Sequence, residues 1–443
     1  MNVHKTVLAV VALMLSAATL QAQQGEQGPF TLEQCIATGL KHNIEVHRAR
    51  NAVERSRTFR RQAVGDFLPS VAARGSWTRY DRDQIGFRGN ELFTSRNSYS
   101  YNVQAGLTVF DGLRNFNTVD QSLYDYEASE QGLLRTREDI VFMIQQGYFN
   151  VLRFEQLVKV AESNLERSSG QLERIREMNA VGSVPQADVY RQEVTVGNDE
   201  LAVIEARNNA QNAKVDLQAL LGIAPTMEFA LQRDGVPLEI TDTDVQSYRA
   251  SLSTFEDMVD GAMQTRADMR QSALNVKSAE KGVSIASSGH YPSVTAFAQY
   301  TWNNLELAAF DMYDRFFYGV SVSLPLFSNF QVSANVERSE IVLREAELMQ
   351  NQLRRSIATD IMRALNDLEM AEKNLDISGK KLQSAREDQR IAQERYNLGA
   401  GTLLDMIVAN ANFTLAESDV VNATFNYLVA RRQMDYQLGR IQY

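Results

Sequence analysis

Two kinds of hydrophobic spacing take turns along this chain. Residues 112–178 and 329–395 hold no proline, few glycines, and many Glu, Gln, Arg, Leu and Ala. Their apolar positions recur at three and four, as in Ile144, Tyr148, Val151, Phe154, Val158, Ala161 and Leu165, and again in Leu353, Ile357, Ile361, Leu365 and Leu368. That is a coiled-coil period, and it predicts two helices of about 67 residues, each roughly 100 Å long at 1.5 Å per residue.

A period of two replaces it in four short stretches, predicting strands about residues 70–80, 98–109, 293–302 and 316–324. In the second, the odd positions from Tyr99 to Val109 are apolar or aromatic and the even ones polar or glycine. Val294, Ala296, Ala298, Tyr300 and Trp302 share one face of the third, and Phe316, Tyr318, Val320, Val322 and Leu324 one face of the fourth. In the first, Val71, Ala73, Gly75 and Trp77 oppose Ala72, Arg74, Ser76 and Thr78. Strands of 9 to 12 residues suit a tilted crossing of a bilayer. Residues 66–110 and 289–327 hold 18 of the 38 aromatics, and Trp77, Tyr80, Tyr300 and Trp302, near strand ends, suit a membrane-interface girdle. A β-sandwich core would also collect aromatics, but a sandwich has no need of the wholly polar second face.

The pattern is one unit written twice. Phe30–Glu45 reappears as Ser253–Asp268, shifted by 223, and Pro69-Ser70-Val71 as Pro292-Ser293-Val294 at the same shift. From Leu107 onward the shift is 217, carrying Gly182 to Gly399, Asp188 to Asp405, and Leu221-Gly222 to Leu438-Gly439. The six-residue change between Pro69 and Phe110 belongs to a loop that tolerates insertion. The expected organisation is a signal peptide at 1–22, a first repeat at 23–222, a linker or equatorial segment at 223–252, and a second repeat at 253–443. All seven prolines fall at predicted boundaries, sparing helix interiors a cost of about 3 kcal/mol each.

Four strands cannot close a barrel, and an open sheet edge in hydrocarbon leaves backbone groups unpaired at several kcal/mol each. The chain must then share its barrel with copies of itself. Two copies give eight strands, plugged by side chains; three give twelve, wide enough for an aqueous lumen. The expected fold is membrane α+β: a trimeric 12-strand outer-membrane β-barrel, four strands per chain, with long α-helical coiled coils, which the family resemblance given below extends to a periplasmic tunnel.

Composition and candidate chemistry narrow the function. The first 22 residues carry Lys5, an apolar run from Val7 to Leu15 and Leu20-Gln21-Ala22, the pattern of a secretory signal removed after about Ala22. Gln23, not a cysteine, follows, so no lipid anchor is expected; Cys35, the single cysteine, is expected buried on a helix. Removal of Lys5 takes the net charge from −10 to −11, an acidic balance that argues against nucleic acid as a partner. His42, His47 and His290 have no zinc spacing, and no phosphate loop or nucleophile elbow is present, so neither enzyme, metal nor cofactor is expected.

The doubled unit resembles the TolC-like outer-membrane efflux proteins over residues 30–443. The features that carry the resemblance are Phe67-Leu68-Pro69-Ser70-Val71 and His290-Tyr291-Pro292-Ser293-Val294, the turns Val109-Phe110-Asp111-Gly112 and Pro325-Leu326-Phe327-Ser328, and the hairpin tips around Gly182 and Gly399. The resemblance implies a homotrimer in the cell outer membrane, in contact with outer-membrane lipid. Its helical tunnel in the periplasm docks to a periplasmic adaptor protein and an inner-membrane transporter. By position it implies adaptor-docking tips at Val181, Gly182, Ser183, Leu398, Gly399 and Ala400, although a tight helix-to-helix turn alone would also use such residues. It implies an aperture at Asp188, Tyr396 and Asp405, with Tyr396 able to bond to Asp188, although either carboxylate also suits a helix cap. Gly401 stands where the family's latch has an arginine, and Val408 where a second acidic ring would sit. A duct for secreted proteins of the type I kind stays open as an alternative, and a trimeric coiled-coil adhesin as one of another class.

Overall fold

The computed structural model describes residues 29–88, 91–227, 229–233, 236–237, 240–307 and 314–441. The expected signal peptide lies outside the described residues. The first repeat supplies α1 (Leu32–His42), α2 (Ile44–Gly65), β1 (Ser70–Arg88), β2 (Glu91–Phe110), α3 (Arg114–Ala180) and α4 (Gln186–Leu221). After α5 (Asp242–Ala250), the second supplies α6 (Phe255–Thr265), α7 (Ala267–Ser287), β3 (Ser293–Asn304), β4 (Asp314–Ser323), α8 (Gln331–Asn397) and α9 (Leu403–Gln437). Both long helices, α3 and α8, run 67 residues, and their ends are 217 apart.

The repeats do not correspond to the packing units. One unit comprises the described chain up to His47 with 137–259 and 360–441; the other comprises 48–136 and 260–359. Each repeat therefore contributes to both.

The second unit carries an antiparallel sheet in the order β1-β2-β3-β4. Its register aligns the apolar positions of every strand: Gly75 opposes Tyr101, which opposes Trp302; Ala73 opposes Val103, then Tyr300, then Phe316; Val71 opposes Ala105, then Ala298, then Tyr318. Directly opposed residues share a face, so one face is apolar across all four strands. The other holds Arg74, Asn102, Thr301 and Arg315 in one row, and Ser76, Ser100 and Asn303 in the next. It is not the wholly polar face expected, because Phe297 and Phe317 sit on it with their rings 6.3 Å apart, and Asp314 opposes Trp302 on the apolar face. Tyr318, Val320 and Val322 are 79%, 66% and 67% exposed in the single chain, so the apolar face is bare.

β1 and β2 run past the expected ends. Beyond a register shift between Arg79 and Gln84 the hairpin continues to Arg88 and Glu91, while β3 pairs β2 only from Tyr99 onward. Charges obscure this extension in the sequence, yet they hold it together: Arg96 donates to Asp83 at 2.9 Å. At this end of the sheet Leu305 lies against Gly86 and Phe93, and Trp302 is only 2% exposed. Of the four expected girdle aromatics, Trp77 and Tyr80 are exposed and Tyr300 is half-buried, whereas Trp302 packs inside its own chain.

In the first unit the helices pack side by side in the order α4-α3-α9-α8. Asn164 of α3 donates to Asp199 of α4, Thr414 of α9 donates to Asn164, and Lys381 of α8 pairs with Asp419 of α9. The coiled-coil positions Ile144, Tyr148, Val151, Ile357, Ile361 and Leu368 are buried, as their spacing requires. α1 ends where Asn43 turns extended; its side-chain amide donates to the Leu220 main-chain carbonyl and its Oδ1 accepts from the Glu45 amide. Gly222 ends α4 at φ 72°, with a would-be Cβ 2.8 Å from the His42 carbonyl oxygen, so only glycine fits. Cys35 is fully buried, and burial pushes its thiol up to about 12, leaving it inert. The segment expected as a linker contains α5, opened by a capping box of Thr241 and Asp244. Its Tyr248 hydroxyl donates to Asp435 at 2.9 Å under the Arg431 guanidinium, pinning α5 to α9.

The two sheet faces predict opposite responses. Val320→Arg, on the apolar face, should destabilise the inserted protein by about 2–4 kcal/mol, while Ser321→Arg, on the polar face, should be tolerated. Urea unfolding from lipid vesicles measures both.

Candidate functional site at the helical tips

Both hairpins of the first unit turn by the same motif. α3 ends with Gly182 at φ 78°, the Gly182 amide donating to Asn179 O at 2.9 Å and the Ser183 amide to Met178 O at 2.8 Å. α8 ends with Gly399 at φ 72°, the Gly399 amide donating to Tyr396 O at 3.0 Å and the Ala400 amide to Arg395 O at 2.8 Å. This double bond is the left-handed glycine stop of a helix. It thrusts the residue before each glycine outward: Val181 is 78% exposed and Leu398 83%.

The hairpins differ in how the next helix begins. α4 starts after Pro185 with no side-chain cap. α9 starts with a capping box, in which the Asp405 amide donates to Thr402 Oγ1 and the Thr402 amide to Asp405 Oδ2, both at 3.2 Å. The hydroxyl of Thr402 adds a third bond to Asp405 Oδ2 at 2.8 Å. These bonds hold the Asp405 carboxyl below the usual carboxylate range. The side chain stays exposed, so Asp405 caps its helix and still presents negative charge.

Asp188, its counterpart, pairs with Arg191 one turn along α4 at 3.0 Å. Tyr396 is 7% exposed, packed with Leu172, Ile175, Val189, Leu403 and Met406. Its buried hydroxyl has no hydrogen-bond partner among the described residues. Burial, and after it the Asp188 charge, raise its pKa. The expected tyrosine-to-aspartate bond is therefore not made: the two groups lie close, but Arg191 takes the carboxylate. Gly401 is confined as well, because a Cβ there would lie 3.1 Å from Arg395 Cβ and 3.3 Å from the Tyr396 nitrogen. An arginine at 401 would need the α8 end to shift. The guanidinium at hand belongs to Arg395, which donates to Ala400 O at 3.3 Å. Beside it a cleft of about 380 Å³ opens between α8 and α9, lined by Asp388, Ile391, Arg395, Gly401, Asp405 and Val408 among others.

Thr402, Arg191 and Arg395 were not singled out from the sequence. Thr402-x-x-Asp405 is a readable capping-box pattern and Asp188-x-x-Arg191 a readable helical ion-pair spacing; Arg395 shows no local signal. Among the described residues no group of three or more His, Cys, Asp or Glu is placed to hold a metal. No helix there is long and apolar enough to cross a membrane, which says nothing of the sheet.

The family model for the outer membrane efflux protein matches residues 35–223 and 258–440. The chain is 21% identical over 321 residues to the outer membrane protein TolC of Vibrio cholerae serotype O1, covering 71% of this chain and 69% of that one. It is 23% identical over 442 residues to the probable efflux pump outer membrane protein TtgC of Pseudomonas putida, covering 96% and 86%. Among solved structures, VceC from Vibrio cholerae superposes with a TM-score of 0.76 at 18% identity, covering 92% of this chain and 96% of that one. The open-state outer membrane channel MtrE of Neisseria gonorrhoeae gives 0.75 at 19%, covering 92% and 88%.

The chain belongs to the outer membrane efflux protein family. It is a non-enzymatic transport channel of the outer membrane, with four strands per copy and a helical periplasmic part.

Thr402→Ala removes the hydroxyl at the centre of the α9 cap and should cost about 1 kcal/mol. The carboxylate's share of that cap has a definite pH sign. Because its pKa is lowered by folding, that share is present above the ordinary aspartate pKa and lost as pH falls through the lower folded value. Thermal melts of wild type and Thr402→Ala against pH should show a gap that narrows on acidification.

Proposed function

We propose that three copies of this chain close one barrel and one helical tunnel, forming the passive exit duct of a tripartite efflux system. The observation that carries this reading is the sheet: four registered strands, apolar on one face and polar on the other, with β1 and β4 each paired on one side only. β4 of one copy runs antiparallel to β1 of the next, so edges meet and none is left in hydrocarbon. In the helical unit the outermost helices are α4 and α8, and copies join there by the same rule. The apolar sheet face meets lipid, with Trp77 and Tyr80 near its rim.

The tips face the periplasm. Val181, Gly182 and Ser183 on one hairpin, and Leu398, Gly399 and Ala400 on the other, form small exposed knobs that a coiled-coil adaptor can approach closely. That adaptor bridges to an inner-membrane transporter, which supplies the energy. Support comes from the exposure of Val181 and Leu398 and from the efflux-pump relatives. At the aperture, three copies of Asp405 ring the lumen and favour cations, while Asp188 and Tyr396 line the contact between hairpins.

Single-channel recording in planar bilayers tests this reading. The protein should conduct, and Asp405→Asn, which removes the charge and keeps a capping oxygen, should lower its preference for cations. An unchanged selectivity would remove Asp405 from the aperture.

A further inference from the structure

The duplication lets one seam of the molecule be read from another. α3 and α8 correspond at a shift of 217, as do α4 and α9, and the glycine stops at Gly182 and Gly399 and at Gly222 and Gly439 share left-handed φ values of 66–78°. In the order α4-α3-α9-α8, the contact of α3 with α9 lies within one chain. Its repeat counterpart is α8 with α4, the two outer helices, which can meet only between copies.

Both outer helices bear bare apolar stripes. On α4, Tyr190, Val194, Leu201 and Ile204 are 59–65% exposed, and with Gly197 they follow the four-three spacing of a coiled-coil seam. On α8, Met370, Ile377 and Ile391 are 46–61% exposed at multiples of seven.

The seam within the chain is fastened by Arg167 of α3. Its guanidinium donates to Thr414 Oγ1 at 3.1 Å, pairs with Glu417 at 3.1 Å, and lies over the Phe413 ring at 5.1 Å. Shifting each position by 217 gives the seam between copies: Ser384 stands for Arg167, Gly197 for Thr414, Val196 for Phe413, and Glu200 for Glu417. The carboxylate is kept and the arginine is replaced by serine; the neighbouring cation Lys381, which stands for Asn164, pairs at 2.6 Å with Asp419 of its own chain. Near the other end, Tyr436 donates to Asp139 at 2.7 Å and stacks on Phe142, while the corresponding residue of α4 is Ala219, which has neither hydroxyl nor ring.

We propose that the seam between copies, α8 of one against α4 of the next, uses the same positions as the chain's own α3–α9 seam but lacks its arginine fastening, and is the seam that parts when the duct opens. Ser384 and Glu200 are the positions that set its strength. This rests on the trimeric reading given above. A seam held by apolar stripes without a directional ionic contact slides and separates more readily than one carrying a partly shielded, multiply bonded arginine.

Two experiments on the full chain test it. Glu200→Cys with Ser384→Cys should form covalent multimers with a short bis-maleimide linker, matched to a gap that two long side chains would span, and should lower channel opening; Cys35, buried, stays out of the reaction. Ser384→Arg should raise the temperature at which the detergent-resistant oligomer dissociates and lower the open fraction several-fold. Adding Glu200→Gln should cancel both effects, while Ser384→Ala should match wild type. The proposal is overturned if Ser384→Arg changes neither property, if its effects survive Glu200→Gln, or if the cysteine pair stays monomeric in a protein that sediments as a trimer. A protein that sediments as a monomer overturns instead the trimeric reading beneath it.

Discussion

A peptide group deprived of hydrogen bonds in hydrocarbon is costly enough that no membrane-spanning sheet can keep a free edge. Among the described residues β1 and β4 each have a partner on one side only, and they bound an apolar face that is bare at Val71, Val320 and Val322 on its two outer strands and mostly half-buried between them. The other assignments descend from that arrangement. A closed barrel needs further copies, copies must meet through β1 and β4, and the proposed junction of the helices follows the same sequence, α4 against α8. The extension of β1 and β2 past β3 mixes the charges Asp83 and Arg96 with the exposed apolar residues Ile85, Phe87 and Leu92.

In the helical unit, the two repeats share a backbone and divide the chemistry. Their helical tips are built on the same glycine stop, yet one following helix is capped by Thr402 and Asp405 and the other begins bare after Pro185. Asp188 is paired with its neighbour Arg191, Tyr396 is buried with an idle hydroxyl, and Gly401 packs tightly against the end of α8 at the mouth of the cleft between α8 and α9. Position 401 carries no arginine, and the guanidinium at this turn is that of Arg395. What distinguishes one seam from the next is the placement of single large or charged residues, Arg167 above all, on an otherwise repeated frame.

Much of this was legible in the sequence because it is periodic. The shift of 217 gave the common length of α3 and α8, and strict alternation gave the strand faces. The left-handed stops were readable from Gly182 and Gly399. What was hidden was not periodic. The hairpin beyond Arg79 reads as a charged loop until Arg96 is seen to meet Asp83. Trp302 has the character of an interface residue, yet it is 2% exposed in the single chain. α5 is too short to leave a periodic trace, and its place depends on Tyr248 reaching Asp435, 187 residues away. At the tip, the i,i+3 pair of Asp188 and Arg191 was readable, but nothing in the spacing says that Tyr396 is buried beside it with its hydroxyl unused.

The central claim is that this chain is a channel only as a closed set of copies. Native mass spectrometry of the protein released from detergent micelles counts them directly. Three chains per particle is the result this account predicts; a particle of one or two chains would contradict it, because four or eight strands enclose no open lumen.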